Sequence, residues 1–335
     1  MKYKVSKCCL VTLSLFAAHS WAANDWFLQQ NSLTNAHKYL LEGELNQSFS
    51  AMVQTWQQEP PEHLQSHLDK LLIKGLDKDC GRSYNDAEFP TWLHNLTIQR
   101  QTIQSPGRLS YRLKIDAQSS SQLKDVKFIK WPEQVLLSNS TNLDEKGNPI
   151  LKSSEEIAPV STDPVGNATT VGLDPSRVIT TQKDSSTSNQ NIDEKEWDFN
   201  QRIDLNSQLS SGLYQAKLTT TDGKTWETWI LIANPINKQT VRWQSKDEWT
   251  VDKNGLLNRF CPLPILDIGL YGNVNDDYKE VWQQSYESDY PNALPETDLP
   301  ASRYLLSVSI THKRWQGAIT IEDKQIINKA YDISY

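Results

Sequence analysis

Apolar residues recur at helical spacing near the start of the chain. Between Leu33 and Trp56 they return every three or four positions, and Gly43 interrupts the series. This pattern predicts a helical hairpin with its break at Glu42-Gly43-Glu44. Pro60-Pro61 then ends the second helix, because proline cannot continue the hydrogen-bond ladder.

A third helix is predicted directly after this proline pair. It runs from Glu62 to Lys74, and Gly75 is its expected cap. Four leucines lie on one face of this helix: Leu64, Leu68, Leu71 and Leu72. Residues 23–80 are therefore predicted to form a three-helix head.

After Cys80 the pattern changes to the alternation of β-strands. Ser105-Pro106-Gly107 is a turn, and Arg108–Asp116 alternates apolar and polar residues. Further strands are predicted at 126–131 and 197–205, and a hairpin over 212–232 turns at Asp222-Gly223. Tyr214 lies where a tyrosine often fixes the corner of an immunoglobulin-like sandwich, so residues 90–235 are predicted to form an Ig-like β-sandwich.

A polar insert interrupts this predicted sandwich. Residues 138–195 are rich in Ser, Thr, Asn, Asp and Pro and poor in aromatic residues. Such a composition buries too little apolar area to offset the entropy cost of ordering the backbone. We therefore interpret it as a flexible spacer.

The last hundred residues are predicted to form a second β-rich domain over 236–335. Its strand candidates are 241–243, 265–271, 278–286, 302–312, 315–322 and 325–331, with turns at 275–277, 312–314 and 322–324. The predicted fold class is therefore α+β, with a three-helix head followed by two mainly antiparallel β-sandwich regions and a long polar insert.

The first 22 residues have the features of a secretory signal peptide. Three lysines precede a short apolar stretch, and Ser20-Trp21-Ala22 suits cleavage before Ala23. A retained membrane anchor is the alternative, which the shortness of the apolar run disfavours. The mature chain is expected to be periplasmic in a Gram-negative source, with no membrane span.

The net charge disfavours one class of partner, and the cysteine content agrees with export. The whole chain has a net charge of -7, which offers no general attraction for nucleic acid. Cys8 and Cys9 leave with the signal, and Cys80 and Cys261 remain to form one disulfide in an oxidising compartment. Two buried free thiols are the alternative.

Motifs that carry chemistry are scarce. The sequence has no glycine-rich phosphate loop and no Gly-x-Ser-x-Gly elbow. His63 and His67 lie one helical turn apart, a spacing that can hold a metal ion. Histidines at this spacing are more often two surface side chains with no metal bound. No catalytic residue, metal site or cofactor is predicted.

Tryptophans offer a second candidate surface. Trp226 and Trp229 are three positions apart on one predicted strand, so their rings face opposite sides, and one can lie in the core while the other is exposed. An exposed ring suits sugar stacking or a protein contact, whereas core packing is the more frequent use of any single tryptophan.

The start of the mature chain resembles a known family. The matching residues are Asp25-Trp26-Phe27, Ser32-Leu33-Thr34, Leu40-Leu41-Glu42-Gly43 and Met52-Val53-Gln54-Thr55-Trp56. They resemble an exported vibrio-type family of unknown function (VxrC-like), whose members are encoded beside a sensor kinase and a response regulator. This resemblance implies a periplasmic accessory protein linked to envelope-stress signalling, and it supplies no catalytic residue.

Two functions follow as hypotheses. The first is a non-enzymatic interaction protein that engages an envelope partner, such as the periplasmic domain of a sensor kinase, through its helical head or its sandwich surfaces. A flat apolar patch on the head near Trp26, Phe27 and Leu28 would favour it. The second is a carbohydrate- or peptidoglycan-binding module, with or without hydrolase activity, that uses Trp226 and Trp229.

Overall fold

The computed structural model describes residues 31–85, 88–132, 134–140, 142–143, 149–150, 179–182, 196–234, 238–253, 255–274 and 277–334. The predicted signal peptide, the patch at Trp26, Phe27 and Leu28, and most of the polar insert lie outside the described residues. Within the described ranges, no helix is both long and apolar enough to cross a membrane.

Within residues 31–80, three helices form the head. They are α1 (Ser32–Glu42), α2 (Leu45–Gln57) and α3 (Glu62–Asp79). Asn31 caps α1 by accepting a hydrogen bond from the Thr34 amide at 2.9 Å. Gly43 ends α1 in the left-handed conformation at φ 83°, which confirms the predicted break of the hairpin.

The third helix is longer than its sequence pattern predicts. Gly75 is not its cap: α3 continues to Asp79 and ends at Cys80, whose φ is 62°. Gly75 is buried inside the helix, where an added Cβ would lie 1.2 Å from the Tyr84 hydroxyl. The glycine therefore allows close packing of Tyr84 against the helix rather than termination.

Sixteen strands follow the head in the part of the chain that the structure describes. They are β1 (Leu93–Ser105), β2 (Arg108–Ser119), β3 (Leu123–Lys130), β4 (Gln134–Ser140), β5 (Asn142–Leu143), β6 (Pro149–Ile150), β7 (Ile179–Gln182), β8 (Trp197–Leu205), β9 (Gly212–Thr220), β10 (Thr225–Ile232), β11 (Gln239–Trp243), β12 (Trp249–Lys253), β13 (Ile265–Val274), β14 (Asp277–Tyr286), β15 (Ser302–Gln316) and β16 (Ile319–Ile333). The fold is therefore α+β and mainly antiparallel, as predicted.

One large sheet runs through both predicted β regions. Its order is β14-β13-β15-β16-β1-β2-β8-β7, and a second sheet has the order β10-β9-β3-β4. β1 joins the two regions because it pairs in parallel with β16 from Thr97 to Gln104. A continuous sheet therefore crosses the boundary that was predicted between residues 90–235 and residues 236–335.

Separate hydrophobic cores lie along this sheet. The first fills the sandwich between the two large sheets and includes Ile98, Phe128 and Tyr214. The second joins the helices to the outer side of β9 and β10 through Leu213 and Leu231. The third packs β13, β15 and β16 around Trp249, so the head and both β regions each have a core of their own.

Two tyrosines fix corners of the β regions. The Tyr214 hydroxyl donates to the carbonyl oxygen of Ser210 at 2.7 Å, which confirms the corner predicted from the sequence. The Tyr304 hydroxyl makes the same bond to Pro300, also four residues upstream, at 2.9 Å. The corner at Tyr304 was not predicted.

The charged triplets of the last region are strands rather than turns. The predicted turns at 312–314 and 322–324 are wrong, because β15 and β16 are continuous through both and turn beyond Gln316, where Gly317 has φ 57°. His312 pairs with Asp323, and Lys313 pairs with Glu322. Lys313 and Glu322 carry opposite charges, which stabilise cross-strand neighbours, so the triplets mark pairing rather than a loop.

Candidate binding site at the junction of head and sheet

A disulfide joins the head to the second β region. Cys80 ends α3 and is bonded to Cys261, with their Cα atoms 5.1 Å apart and a sequence separation of 181. The predicted pairing of these cysteines is thereby confirmed. Backbone bonds add to the junction: the Trp315 amide donates to the Cys80 carbonyl at 3.0 Å, and the Gly317 amide donates to the Gly81 carbonyl at 3.0 Å.

Residues 255–264, which we name the tethered segment, lie beside this junction. The Asn258 side-chain amide donates to the Leu76 carbonyl of α3 at 2.6 Å, so the segment is held to the head on both sides of Arg259. Three large apolar side chains of the segment are nevertheless exposed to solvent: Leu256 at 90%, Leu263 at 60% and Phe260 at 42%.

A cavity of about 390 Å³ opens between α3, the tethered segment and β15. We name it the junction cavity. Its volume lies within the range of small-molecule sites. Apolar walls come from Ile73, Leu76, Leu256, Leu257, Pro262 and Pro264, and polar groups come from Lys70, Lys74, Asp77, Asn258, His312, Lys313, Arg314 and Asp323.

Strand register places a charged cluster on the sheet at this cavity. Arg100 of β1 lies opposite Asp323 of β16, and Asp323 lies opposite His312 of β15. Arg314 lies two residues beyond His312 and therefore on the same face of β15. We name these four residues the charged rung.

The charged rung is largely buried and contains more cationic than anionic groups. The side chain of Arg100 is 6% exposed, and that of its ion-pair partner Asp323 is 19% exposed. Arg100 also donates to the side-chain oxygen of Asn234 at 3.0 Å and to the carbonyl of Ala233 at 3.1 Å. Among the described residues of the rung, Asp323 is thus the single carboxylate beside two guanidinium groups.

Arg314 is the less satisfied of the two arginines. Its Nη2 donates to the Leu231 carbonyl at 2.9 Å, whereas its buried Nη1 has no hydrogen-bond partner among the described residues. Burial lowers the pKa of the Arg314 guanidinium to about 10, with Asp323 opposing this shift and Arg100 adding to it. Arg314 remains a cation at neutral pH.

His312 is the fourth member of the charged rung. Its Nε2 lies 2.9 Å from the carbonyl oxygen of Gln239 and 3.1 Å from the amide nitrogen of the same residue. Burial lowers the pKa of this imidazole, and the Gln239 carbonyl and Asp323 oppose the shift. The neutral ring accordingly anchors β11 to β15 at neutral pH.

A smaller cavity of about 170 Å³ lies beyond the charged rung. Arg100, His312 and Asp323 line it, and the last two of these also line the junction cavity. The charged rung therefore separates two cavities, and the junction cavity is the larger and the more apolar of the two.

Neither tryptophan predicted for the surface has a fully exposed ring. Trp226 and Trp229 are both half-buried, and they face opposite sides of β10 as predicted. Trp226 packs edge-on against Phe89 at 5.6 Å and contacts the sandwich core, while Trp229 packs edge-on against Trp131 at 5.6 Å and contacts the helical core. Both rings contact a core because β10 lies between two packed layers, and the use of either ring as an interaction surface stays a prediction.

The histidines of α3 do not form a pair with each other. His63 is exposed, and His67 instead meets His37 of α1, with their Nε2 atoms 2.6 Å apart. Burial lowers the pKa of both His37 and His67. Among the described residues, no group of three or more His, Cys, Asp and Glu side chains is arranged to hold a metal ion.

Sequence reasoning did not find the charged rung or the tethered segment. The signal for the rung was present in the two charged triplets, which were interpreted as turns. Arg100 showed nothing unusual, because its partner Asp323 is more than two hundred residues away in sequence. The apolar residues near Cys261 do not alternate, so their pattern predicts no element there.

Comparisons with known proteins give a family without an assigned function. A family model described as "Protein of unknown function (DUF2861)" matches residues 26–332. No curated protein matches the chain. A solved structure titled "Crystal structure of DIP-gamma IG1+IG2" is similar at 10% identity and TM-score 0.17, covering 70% of this chain and 95% of its own. So low a score carries no argument, and the fold rests on the strand order and cores described above.

Proposed function

The chain belongs to the DUF2861 family of proteins of unknown function, and we propose that it is an exported, non-enzymatic interaction protein that docks on an envelope protein. The tethered segment is the observation that carries this proposal. Leu256, Phe260 and Leu263 present apolar area to solvent on one short stretch of chain. Exposed apolar area of this kind commonly marks a protein contact.

The segment is also rigid enough for recognition. The disulfide at Cys261 and the bond from Asn258 to Leu76 hold it, so little conformational entropy remains to be lost when a partner binds. The Arg259 guanidinium lies 4.7 Å from the centre of the Phe260 ring. Arginine and aromatic side chains are enriched among the residues that contribute most to interfaces.

The proposed partner is the periplasmic domain of a sensor kinase. The resemblance of the mature N-terminus to the VxrC-like family supports this choice, because members of that family are encoded beside such a kinase. The signal-like residues 1–22 and the pairing of Cys80 with Cys261 support export to an oxidising compartment. Envelope-stress signalling is the proposed context.

Glycan binding through Trp226 and Trp229 is the weaker alternative. Both rings already pack against another aromatic ring, so stacking a sugar would require side-chain rearrangement. Retention of the purified protein on peptidoglycan, lost in Trp226→Ala or Trp229→Ala, would favour this alternative.

Biolayer interferometry with the purified kinase domain tests the proposal. The oxidised exported protein is immobilised as wild type, Leu256→Asp, Phe260→Asp and Leu109→Asp. Leu109 is the matched control, because it is 55% exposed near the turn that joins β1 and β2. We expect the Leu256 and Phe260 variants to weaken binding by about tenfold or more, and the control to bind as wild type does.

Two results would contradict the proposed function. One is wild-type protein that does not bind the kinase domain. The other is equal binding by wild type and both variants of the tethered segment. Fractionation of cells, with sequencing of the mature N-terminus, tests export separately, and Ala23 is the expected first residue.

A further inference from the structure

We propose that the junction cavity binds a small amphipathic anion, with its single anionic group against Arg314 and its apolar part against the walls from α3 and the tethered segment. This inference goes beyond the proposed docking function, because it assigns a ligand to the cavity rather than a partner to the exposed surface.

The charge of the rung points to an anion. Arg100 and Arg314 share Asp323, so the buried group has one guanidinium more than it has carboxylates. A buried cation without its own counter-ion is costly, because it loses hydration without a compensating charge. A bound anion would supply this counter-ion.

The Arg314 guanidinium also has a hydrogen-bond donor without a partner, which is a second reason to expect an anion there. Nη1 of Arg314 is buried and makes no hydrogen bond within the described part of the chain. Arginine can bind a carboxylate or a phosphate with two parallel bonds, but here Nη2 already donates to Leu231. Nη1 is therefore the donor of this cavity-lining guanidinium that no described residue satisfies.

The rim adds positive charge. Lys70 and Lys74 of α3 line the cavity and are exposed, and Lys313 of β15 lines it too. Asp77 is the carboxylate at this rim, 3.8 Å from Lys74. Cationic groups therefore outnumber anionic groups at the rim as they do at the charged rung.

The apolar walls of the junction cavity indicate that the rest of the ligand is apolar. Ile73, Leu76 and Leu257 are partly buried and apolar, and Leu256 extends into solvent. A fully polar anion such as inorganic phosphate would leave these walls in contact with water. A carboxylate or phosphate on an alkyl chain would satisfy Arg314 and cover the walls together.

Isothermal titration calorimetry on the oxidised full-length mature protein tests this assignment at pH 7 and low salt. The probes are decanoate, decyl phosphate, decanol and inorganic phosphate. We expect both amphipathic anions to bind about tenfold or more tightly than decanol, because the charged group adds a charge-assisted bond to the apolar contact. Inorganic phosphate should not bind detectably. The tighter of the two anions distinguishes a carboxylate ligand from a phosphate ligand.

Three variants connect the affinity to the cavity. Arg314→Gln should weaken decanoate binding about tenfold or more, since it removes the charge. Lys74→Glu, at an exposed helix position, should weaken it several-fold without affecting the fold. Arg303→Gln is the matched control, because the Arg303 side chain is 75% exposed and lies outside the cavity.

Equal binding of decanol and decanoate, or unchanged binding in both Arg314→Gln and Lys74→Glu, would overturn the inference. An absence of binding by all of the probes would overturn it too. If Arg314→Gln does not fold, as judged by circular dichroism, Lys74→Glu alone decides. None of these results depends on the kinase domain, so they leave the docking proposal to its own test.

Discussion

At the scale of single residues, side chains with no obvious motif set the geometry of the junction. Gly75 allows Tyr84 to pack against α3, and Gly81 lies where an added Cβ would be 2.0 Å from the carbonyl oxygen of Trp315. Both positions fix how closely the head approaches the sheet. Both also act through the absence of a side chain, which a sequence pattern does not reveal.

Gly75→Ala tests the first of these contacts. The added methyl group would occupy the position of the buried Tyr84 hydroxyl, so we expect a loss of about 2 to 4 kcal/mol in the free energy of unfolding. Urea denaturation measures this loss. Ser66→Ala on an exposed position of the same helix is the control. The double variant Gly75→Ala/Tyr84→Phe should recover part of the stability, and a single variant as stable as wild type would contradict the packing argument.

The histidine pair between α1 and α3 makes stability depend on pH. Burial lowers the pKa of His37 and His67 in the folded state, so the unfolded chain binds protons first as the pH falls. The stabilisation is complete above the ordinary histidine pKa near 6.5 and is lost as the pH falls below it. Between pH 7 and pH 5 the free energy of unfolding should therefore fall.

Chemical denaturation at several pH values measures this effect. His37→Gln/His67→Gln should show a shallower decrease between pH 7 and pH 5, because the groups that take up protons on unfolding are gone. His63→Gln, at an exposed position of α3, should keep the wild-type slope. An unchanged slope in the double variant would show that other groups, such as His312, account for the whole dependence.

At the scale of elements, side chains of β15 cover the free edge of the second sheet. β10 is an edge strand, and its backbone is satisfied by Gln316, which accepts from the Leu231 amide at 2.9 Å and donates to the Trp229 carbonyl at 2.6 Å. Covering an edge in this way prevents pairing with another chain. The bonds also fix β15, and with it Arg314, relative to the sandwich.

Gln316→Leu tests whether the β10 edge depends on the Gln316 side chain. The substitution leaves two buried backbone groups without partners, and we expect a loss of about 2 to 4 kcal/mol in stability. Hydrogen exchange should show that the Leu231 amide loses protection more than the amides of β9 do. Gln284→Leu on the exposed face of β14 is the control, and retained protection of Leu231 would contradict the role given to Gln316.

Element by element, the local patterns predicted more than the long-range ones did. The helical break at Gly43, the hairpin at Asp222-Gly223 and the corner at Tyr214 depend on neighbours within a few residues, and all three are present. The triplets at 312–314 and 322–324 were misinterpreted, because charged residues suit a turn and a cross-strand pair equally well. Only the pairing of β15 with β16 shows that these triplets lie in strands rather than in turns.

At the scale of the whole molecule, contacts between distant parts of the chain create the candidate site. β1 and β16 pair although more than two hundred residues separate them, and this pairing brings Arg100 to Asp323. Cys80 and Cys261 join across a separation of 181 residues. The cysteine pair was predictable because two cysteines remain outside the signal-like first 22 residues, whereas the cavity beside it needed the sheet register.

Removal of the disulfide tests how firmly these parts are held. In Cys80→Ser/Cys261→Ser we expect a loss of about 2 to 5 kcal/mol in unfolding free energy, since the link closes a long loop. Trypsin should also cut faster after the exposed Arg259, because the tethered segment loses its anchor. Equal stability and equal cleavage would show that the backbone bonds alone hold the junction.

The tethered segment as a docking surface is the central claim, and hydrogen exchange of the complex with the sensor-kinase domain tests it most directly. Exchange is compared between the free and bound oxidised protein, with residues 255–264 and the turn between β1 and β2 followed separately. The account predicts slower exchange at residues 255–264 on binding and no change at the β1–β2 turn. Protection elsewhere, with residues 255–264 exchanging as in the free protein, would contradict it.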